Sequence, residues 1–87
     1  MSVRISRESG DPGTVIRIDG RLRSEHLGAL LDECRSADAP LVLDLSGLLA
    51  CDEAGVDALA KLIAKGVRVR GASPYIELLL AGNRYFH

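Results

Sequence analysis

The sequence predicts a single α/β domain over residues 1–87, with a mixed β-sheet of about four strands and helices mainly on one face. Two segments near the start alternate apolar and polar residues, as half-buried strands do. Beyond them, helical apolar patterns alternate with short strand-like runs, which gives the order β-β-α-β-α-β-α. Successive strand-helix-strand units connect by right-handed crossovers, so we expect neighbouring parallel strands.

The first two strands are predicted to form an antiparallel hairpin. They cover residues 3–7 and 14–21, and turn-forming residues lie between them at 8–13. Ile16 and Ile18 are expected to face the core. The chain therefore begins with two paired strands, the second of them half buried.

The first helix is predicted to begin with Ser24 as its N-cap and to end before Pro40. Its apolar residues recur at spacings that place them on one face of a helix. They are Leu27, Leu30, Leu31, Cys34 and Ala37. This stripe is expected to pack on the sheet.

The stretch from residue 41 to residue 55 organises the domain, because it runs from a strand into a helix. Residues 41–45 are apolar except for Asp44, which is typical of a central strand covered on both faces. Asp52 is predicted to cap the second helix, with Glu53 in its first turn. Since ligands and partners are commonly bound beyond the carboxyl ends of strands, we expect a functional site near Asp52.

The second helix is predicted over residues 53–65 and is closed by Gly66. A strand over residues 67–70 follows, with its valines inward. Ser73 is predicted to cap the third helix, which begins at Pro74 and ends near residue 81. The pattern does not place residues 84–87.

Composition excludes several classes of function. The net charge of −1 and the scarcity of aromatic residues disfavour nucleic-acid binding. No apolar run approaches the roughly 20 residues of a membrane helix, so neither membrane insertion nor a signal peptide is expected. Cys34 and Cys51 are predicted to be free thiols in a reducing compartment, the cytoplasm.

The acidic residues could suggest a site for a hard cation, because such ions prefer clustered oxygen ligands. The residues concerned are Asp44, Asp52, Glu53 and Asp57. However, Asp57 is expected to face outward and the calcium-loop spacing is absent. The two histidines, His26 and His87, lack zinc-site spacing. We therefore favour a solvated acidic rim and predict no metal and no other cofactor.

Two further features have a functional and a structural interpretation. Cys51 lies beside a helix N-terminus, which can lower the pKa of a thiol, but no base is fixed near it, so a packing role is favoured over catalysis. Four arginines are expected on the outer face of the sheet. They form a basic strip that binds an acidic partner or a nucleotide, or they only keep that face solvated. The second interpretation is the commoner case. The four arginines are Arg4, Arg17, Arg68 and Arg70.

These segments together resemble the STAS domain family. The resemblance rests on Leu43-Asp44-Leu45-Ser46-Gly47 at a strand end, Asp52-Glu53-Ala54-Gly55 at a helix start and Gly71-Ala72-Ser73-Pro74-Tyr75 before the third helix. It covers roughly residues 15–80. The family includes the bacterial anti-sigma-factor antagonists and the cytoplasmic domains of sulphate transporters. The resemblance implies a STAS-like fold and a protein-binding regulatory module without enzymatic activity.

The sequence departs from the antagonists at the position where they are regulated. Their turn usually reads Asp-Ser-Ser-Gly or Asp-Ser-Thr-Gly, and the partner, an anti-sigma factor that is also a kinase, phosphorylates the serine after the aspartate. Here Asp52 and Gly55 match, whereas Glu53 replaces the acceptor and Ala54 the next residue. Glu53 either partly imitates phosphoserine, with about one negative charge against roughly −1.5 to −2, or only stabilises the helix N-terminus by about 0.3 to 1 kcal/mol. The resemblance therefore implies a module that phosphorylation does not switch.

The resemblance also implies a partner-binding surface at the start of the second helix and the loop before Ser24. The expected contributors are Leu48, Leu49, Asp52, Glu53, Ala54, Gly55 and Val56. The partner is expected to be an anti-sigma factor of the kinase type or, alternatively, the ATPase of an ABC-type membrane transporter. Relatives usually continue with another strand and helix, so the domain is expected to be shortened at its C-terminus. The uncovered edge favours a homodimer or docking on a larger assembly.

Overall fold

The computed structural model describes residues 3–9, 13–37 and 40–82, which form a five-stranded sheet and three α-helices. The strands are β1 (Val3–Ser9), β2 (Thr14–Leu22), β3 (Leu41–Asp44), β4 (Leu48–Cys51) and β5 (Arg68–Arg70). The helices are α1 (Leu27–Ser36), α2 (Glu53–Ala64) and α3 (Pro74–Ala81), and a 3-10 helix, Ser24–His26, precedes α1. The predicted α/β class with a mixed sheet is confirmed.

The sheet is built around β2, its longest strand. β1 pairs with β2 in the antiparallel direction, as the hairpin prediction requires. β3 and β4 both run parallel to β2, β3 beside residues 14–17 and β4 beside residues 20–22. β5 continues the sheet beyond β3. Within the described part of the chain, β1, β4 and β5 are each paired on one side only.

The core lies on one face of the sheet. On β2, Ile16 and Ile18 are fully buried while Arg17 between them is exposed, which confirms the predicted alternation. The register places Leu43 of β3 beside Ile16. Buried residues from all three helices belong to the same cluster. They are Leu30, Val56, Leu59, Leu62, Ile76 and Leu80. The helices therefore cover mainly this face, as predicted.

The fourth strand is the element that the sequence prediction lacks. No strand is predicted for residues 48–51, which lie between the predicted strand at 41–45 and the second helix, but they form β4 beside the end of β2. Leu, Ala and Cys have little intrinsic preference for strands, so pairing with β2 decides the conformation. The sheet consequently has five strands rather than about four.

The beginning of the first helix also differs from its prediction. Ser24 does not cap α1, which starts three residues later at Leu27. Instead Ser24 opens the 3-10 helix, and the N–H of Arg23 donates to Nδ1 of His26 at 3.1 Å. The N-cap prediction for Ser24 is wrong because residues 24–26 form this additional helical turn, which puts His26 and not Ser24 directly before α1.

The other helix ends follow the sequence closely. α3 is capped by Ser73, whose Oγ accepts the N–H of Ile76 at 3.2 Å, and Pro74 occupies the first turn. Gly66 adopts a φ of 102° after α2, a conformation that glycine tolerates best. The centre of the predicted β1–β2 turn, residues 10–12, and the tail beyond Gly82 lie outside the described residues.

Candidate functional site

The predicted site lies where β2 and β4 end side by side. Leu22 is in register with Cys51, and the N–H of Asp52 donates to the carbonyl oxygen of Leu22 at 3.1 Å. From this point β2 leads through Arg23 into the 3-10 helix, and β4 leads into α2. Both helical segments therefore begin at one edge of the sheet.

Asp52 links these two helix starts through its carboxylate. Oδ1 accepts the N–H of Gly55 at 2.8 Å and so caps α2, which confirms the N-cap prediction. Oδ2 accepts the N–H of Ser24 at 3.0 Å. Hydrogen bonds to a charged acceptor are stronger than those between neutral groups. Asp52 therefore holds the surface in place, and both of its oxygens are occupied by backbone donors of this chain.

Gly55 is buried at the point where α2 meets the sheet. A Cβ atom at this position would lie 2.6 Å from Sγ of Cys51 and 3.2 Å from the carbonyl oxygen of Leu22. Separations as short as the first do not occur without movement of the backbone or the neighbouring residue. Gly55 thus allows the close approach of α2 to β4 and does not lie on the surface predicted for it.

Of the three apolar residues predicted to contact a partner, two are buried and one is exposed. Leu48 is 2% exposed and Val56 is 9% exposed, and both belong to the core cluster. The prediction that they offer apolar contact at the surface is wrong, because their side chains fill the space between the sheet and α2. Leu49, by contrast, is 69% exposed and supplies the apolar surface of this region.

Glu53 occupies the first position of α2 and is exposed. Within residues 3–9, 13–37 and 40–82, no hydrogen bond or ion pair engages its carboxylate. An acidic side chain in this turn also interacts favourably with the helix dipole. Ala54 beside it is partly exposed. The exposed residues of the predicted surface are thus Leu49, Asp52 and Glu53, with Ala54 partly exposed beside them. Of the two carboxylates, that of Asp52 is engaged by backbone N–H groups.

Cys51 lies half-buried beneath the start of α2. Burial, and then the neighbouring Asp52 carboxylate, raise the pKa of its thiol to about 12. The thiol is therefore protonated at neutral pH and is a poor nucleophile. The helix N-terminus does not activate it, in agreement with the packing role favoured from the sequence.

A second aspartate, Asp44, closes the turn between β3 and β4. Its Oδ1 accepts the N–H of Ser46 at 3.0 Å and the Ser46 hydroxyl at 2.7 Å, and its Oδ2 lies 3.3 Å from the Arg70 guanidinium. The Ser46 hydroxyl first, then the Ser46 N–H and then Arg70, hold the pKa of Asp44 below its usual value. The carboxylates of Asp44 and Asp52 thus bind different partners. In the described part of the chain, no three His, Cys, Asp or Glu residues form a group that could hold a metal ion.

The strand register places four arginines on the outer face of the sheet, opposite the core, as predicted. Two of them are paired: Arg17 with Asp19 at 3.0 Å and Arg70 with Asp44 at 3.3 Å. Arg4 and Arg68 are exposed and form no ion pair within the described residues. Of the four predicted arginines, two are therefore without an ion pair within the described residues, one at each edge of the sheet.

Comparisons with known proteins agree with this architecture. The model of a family described as Mlab, STAS domain matches residues 5–81. Among solved structures, the chain is similar to the STAS domain of an anti-sigma-factor antagonist from Rhodobacter sphaeroides, with 23% identity, a TM-score of 0.64 and coverage of 84% of this chain and 94% of that one. At this identity the structural match shows a shared fold. A search of curated proteins finds no match. No helix among the described residues has the length and apolar character needed to cross a membrane.

Proposed function

As the chain belongs to the STAS domain family, we propose that it is a non-enzymatic module that regulates another protein by binding it, without a phosphorylation switch at residues 52–55. The partner contacts the surface formed by Leu49, Glu53 and Ala54, hereafter the α2-start surface. Asp52 positions this surface by fixing the two helix starts. The function resembles that of an anti-sigma-factor antagonist whose affinity is set by sequence alone.

The observation that carries the proposal is the placement of Glu53. It stands at the start of α2, exposed and with no hydrogen bond or ion pair in the described residues. No hydroxyl group is present from Asp52 to Gly55, so a kinase finds no serine or threonine acceptor there. The carboxylate instead supplies a permanent charge of about −1, lower than the roughly −1.5 to −2 of a phosphoserine.

We assign Leu49, which is exposed on β4 shortly before Asp52, to the apolar part of the same surface. A leucine side chain that is 69% exposed gains about 1 kcal/mol or more when a partner buries it. An apolar anchor with charged groups at its rim is a common arrangement in protein interfaces. The fitting partner has an apolar pocket for Leu49 and a basic residue near Glu53.

A second candidate is a STAS subunit or accessory protein of an ABC-type membrane transporter complex. The observation that favours it is again Glu53, because a subunit that stays assembled on an ATPase needs no phosphate-dependent release. In this case the α2-start surface contacts the transporter ATPase. The two candidates use the same residues and differ in the identity of the partner.

Site-specific cross-linking distinguishes the candidates. A photoreactive residue is placed at position 49 and, as a matched control, at Gly28, an exposed position of α1 where an added side chain meets nothing within 4 Å. Cross-linking in lysate of the source cells is followed by mass spectrometry. We expect one product from position 49 and not from position 28. An anti-sigma factor supports the leading candidate, a transporter ATPase supports the second, and equal products from both positions contradict the proposal.

A second experiment tests the proposal that residues 52–55 carry no phosphorylation switch. The native chain and a Glu53→Ser variant are incubated with the kinase-type partner and ATP, and their intact masses are measured. We expect one phosphate on the Glu53→Ser variant and none on residues 52–55 of the native chain. A phosphate on those native residues would contradict a module of fixed affinity.

A further inference from the structure

β5 is an edge strand of the described sheet, with β3 on one side and no strand on the other. The N–H of Leu45 donates to the carbonyl oxygen of Arg70 at 2.9 Å, so the backbone of Arg70 faces β3. Successive residues of a strand direct their backbone groups to opposite edges. The N–H and carbonyl of Val69 therefore face the open edge, where an additional strand could bind them.

The two faces beside this edge differ in chemistry. On the outer face, Arg68 and Arg70 are exposed, and Arg68 forms no ion pair within the described residues. On the core side, a cleft of about 370 Å³ opens between β5, the last turn of α2 and α3. Its lining is largely apolar, and its two charged residues are Glu77 and Arg70, the latter also at the outer face. Apolar residues contributing to it are Ile63, Val69, Ala72 and Leu80.

We propose that the β5 edge and this cleft bind an extended segment of a partner protein in which acidic and apolar residues alternate. A strand presents successive side chains to opposite faces, so such a segment places its acids beside the arginines and its apolar residues toward the cleft. The apolar part of the lining disfavours the burial of an unpaired acidic side chain in the cleft and so favours this orientation. The backbone of Val69 provides the strand-to-strand hydrogen bonds.

A second copy of this chain does not suit the edge. If two β5 strands paired in the antiparallel direction about Val69, Arg68 of one copy would lie opposite Arg70 of the other. Like charges directly opposite each other destabilise strand pairs. Charge complementarity therefore selects an acidic partner segment, and the homodimer expected from the sequence gains no support at this edge.

This surface is separate from the α2-start surface. Ile63 at the cleft lies ten positions beyond Glu53 on α2, about 15 Å along the helix at 1.5 Å per residue. The inference therefore goes beyond the proposed function. Binding at the β5 edge can be disproved while partner binding at the α2-start surface stands, and the reverse also holds.

The test titrates the full chain, labelled with nitrogen-15, with a blocked synthetic peptide of sequence Thr-Glu-Val-Glu-Val-Glu-Thr. NMR spectra report which amides respond, and fluorescence anisotropy of a dye-labelled peptide reports the affinity. We expect saturable shifts centred on the Val69 amide and slower hydrogen exchange of that amide. The matching peptide with lysine in place of glutamate is expected not to bind. Equal binding of the two peptides, or no response at Val69, would overturn the proposal.

Three variants locate the interaction. Arg68→Glu is expected to weaken peptide binding by about tenfold or more, since a favourable charge contact becomes repulsive. Arg4→Glu is the matched control, because Arg4 lies on the same face at the opposite edge and is equally without an ion pair in the described residues. Ala81→Phe, at the cleft, is expected to weaken binding through its occupation of the apolar space. Circular dichroism confirms that each variant folds. Equal losses from Arg68→Glu and Arg4→Glu, or concentration-dependent dimerisation through β5, would contradict the inference.

Discussion

Asp44 is the last residue of β3 and Asp52 directly follows β4 of the same sheet, yet they serve the protein in different ways. Asp44 binds Ser46 two residues away and Arg70 on the neighbouring strand, so it stabilises its own turn and its junction with β5. Asp52 binds two backbone N–H groups, one of them 28 residues earlier in the chain. The first aspartate stabilises one corner of the sheet. The second fixes two helix starts relative to each other and leaves the next residue, Glu53, exposed.

This difference is the reason why we propose the Asp52 corner, and not the Asp44 corner, as the partner-binding site. At the Asp44 turn, the carboxylate is engaged by Ser46 and Arg70, and its side chain is 15% exposed. At the Asp52 turn, the charge that supports the structure and the charge available to a partner are on separate residues. Glu53 can therefore interact outward without disturbing the helix cap.

The largest expected effect is that of Asp52→Ala. Loss of a helix cap costs about 1 to 2 kcal/mol, and loss of the acceptor for Ser24 adds to it, so unfolding free energy should fall by about 2 to 3 kcal/mol. Urea denaturation measures the change. Asp32→Ala is the control, because Asp32 is exposed on α1 and pairs with Arg35 only at 3.5 Å, which predicts a change of about 0.5 kcal/mol or less. Equal losses in the two variants would contradict a linking role for Asp52.

The second-largest effect on stability is expected at Gly55, where α2 packs closely on β4. Gly55→Ala should reduce the unfolding free energy by about 2 kcal/mol, because the added methyl group overlaps Cys51. Gly28→Ala is the matched control on an exposed helical site with open space, and it should stabilise the protein by about 0.5 to 1 kcal/mol. If Gly55→Ala also stabilised the protein, the close approach of α2 to β4 would be refuted.

The Asp44 turn is expected to contribute less. Asp44→Asn should lower the unfolding free energy at pH 7 by about 1 kcal/mol, the usual contribution of one such hydrogen bond. The pKa of Asp44 is below its ordinary value of 3.8 in the folded protein, so its stabilisation is complete above that value and is lost as the pH falls through the lower folded pKa. Urea denaturation across acidic pH should therefore show a shallower acid dependence for the Asn variant. If the unfolding free energy of the Asn variant fell with decreasing pH as steeply as that of the native protein, the contacts of Asp44 with Ser46 and Arg70 would be contradicted.

The smallest effect on stability is expected at Glu53. Glu53→Gln removes only the favourable interaction with the α2 dipole, about 0.3 to 1 kcal/mol. The unfolding free energies of Glu53→Gln and Asp52→Asn, measured side by side by thermal or urea unfolding, compare the contributions of the two neighbouring carboxylates to stability. If Glu53→Gln were the more destabilising of the two, the division of roles between these residues would be wrong.

The sequence was sufficient wherever local chemistry decides the structure. Alternation predicts β2, Ser73 with Pro74 predicts the start of α3, and Asp52 predicts the cap of α2. Each prediction depends on residues within a few positions of one another. Side-chain spacing and capping preferences are local, so one sequence contains the necessary information.

The features that escaped prediction depend on contacts distant in sequence. β4 is a strand because it pairs with the end of β2, although its own residues have little strand preference. Ser24 begins a 3-10 helix instead of capping α1, and its N–H is bound by Asp52, 28 residues further along the chain. Leu48 and Leu49 are identical in type, and only the pairing of β4 places one in the core and the other on the surface. No local pattern distinguishes them.

The central claim is that the exposed charge of Glu53 binds the partner while Asp52 holds the surface. The most direct test is the yield of the cross-linked product from position 49 in native, Glu53→Gln and Glu25→Gln backgrounds, with unfolding measured for each. Glu25 is an exposed acid in the first turn of the neighbouring 3-10 helix and serves as the matched control. We predict that the yield falls by about tenfold for Glu53→Gln, as loss of a charged contact at an interface allows, and stays unchanged for Glu25→Gln. An unchanged yield for Glu53→Gln, or an equal loss for both variants, would contradict the claim.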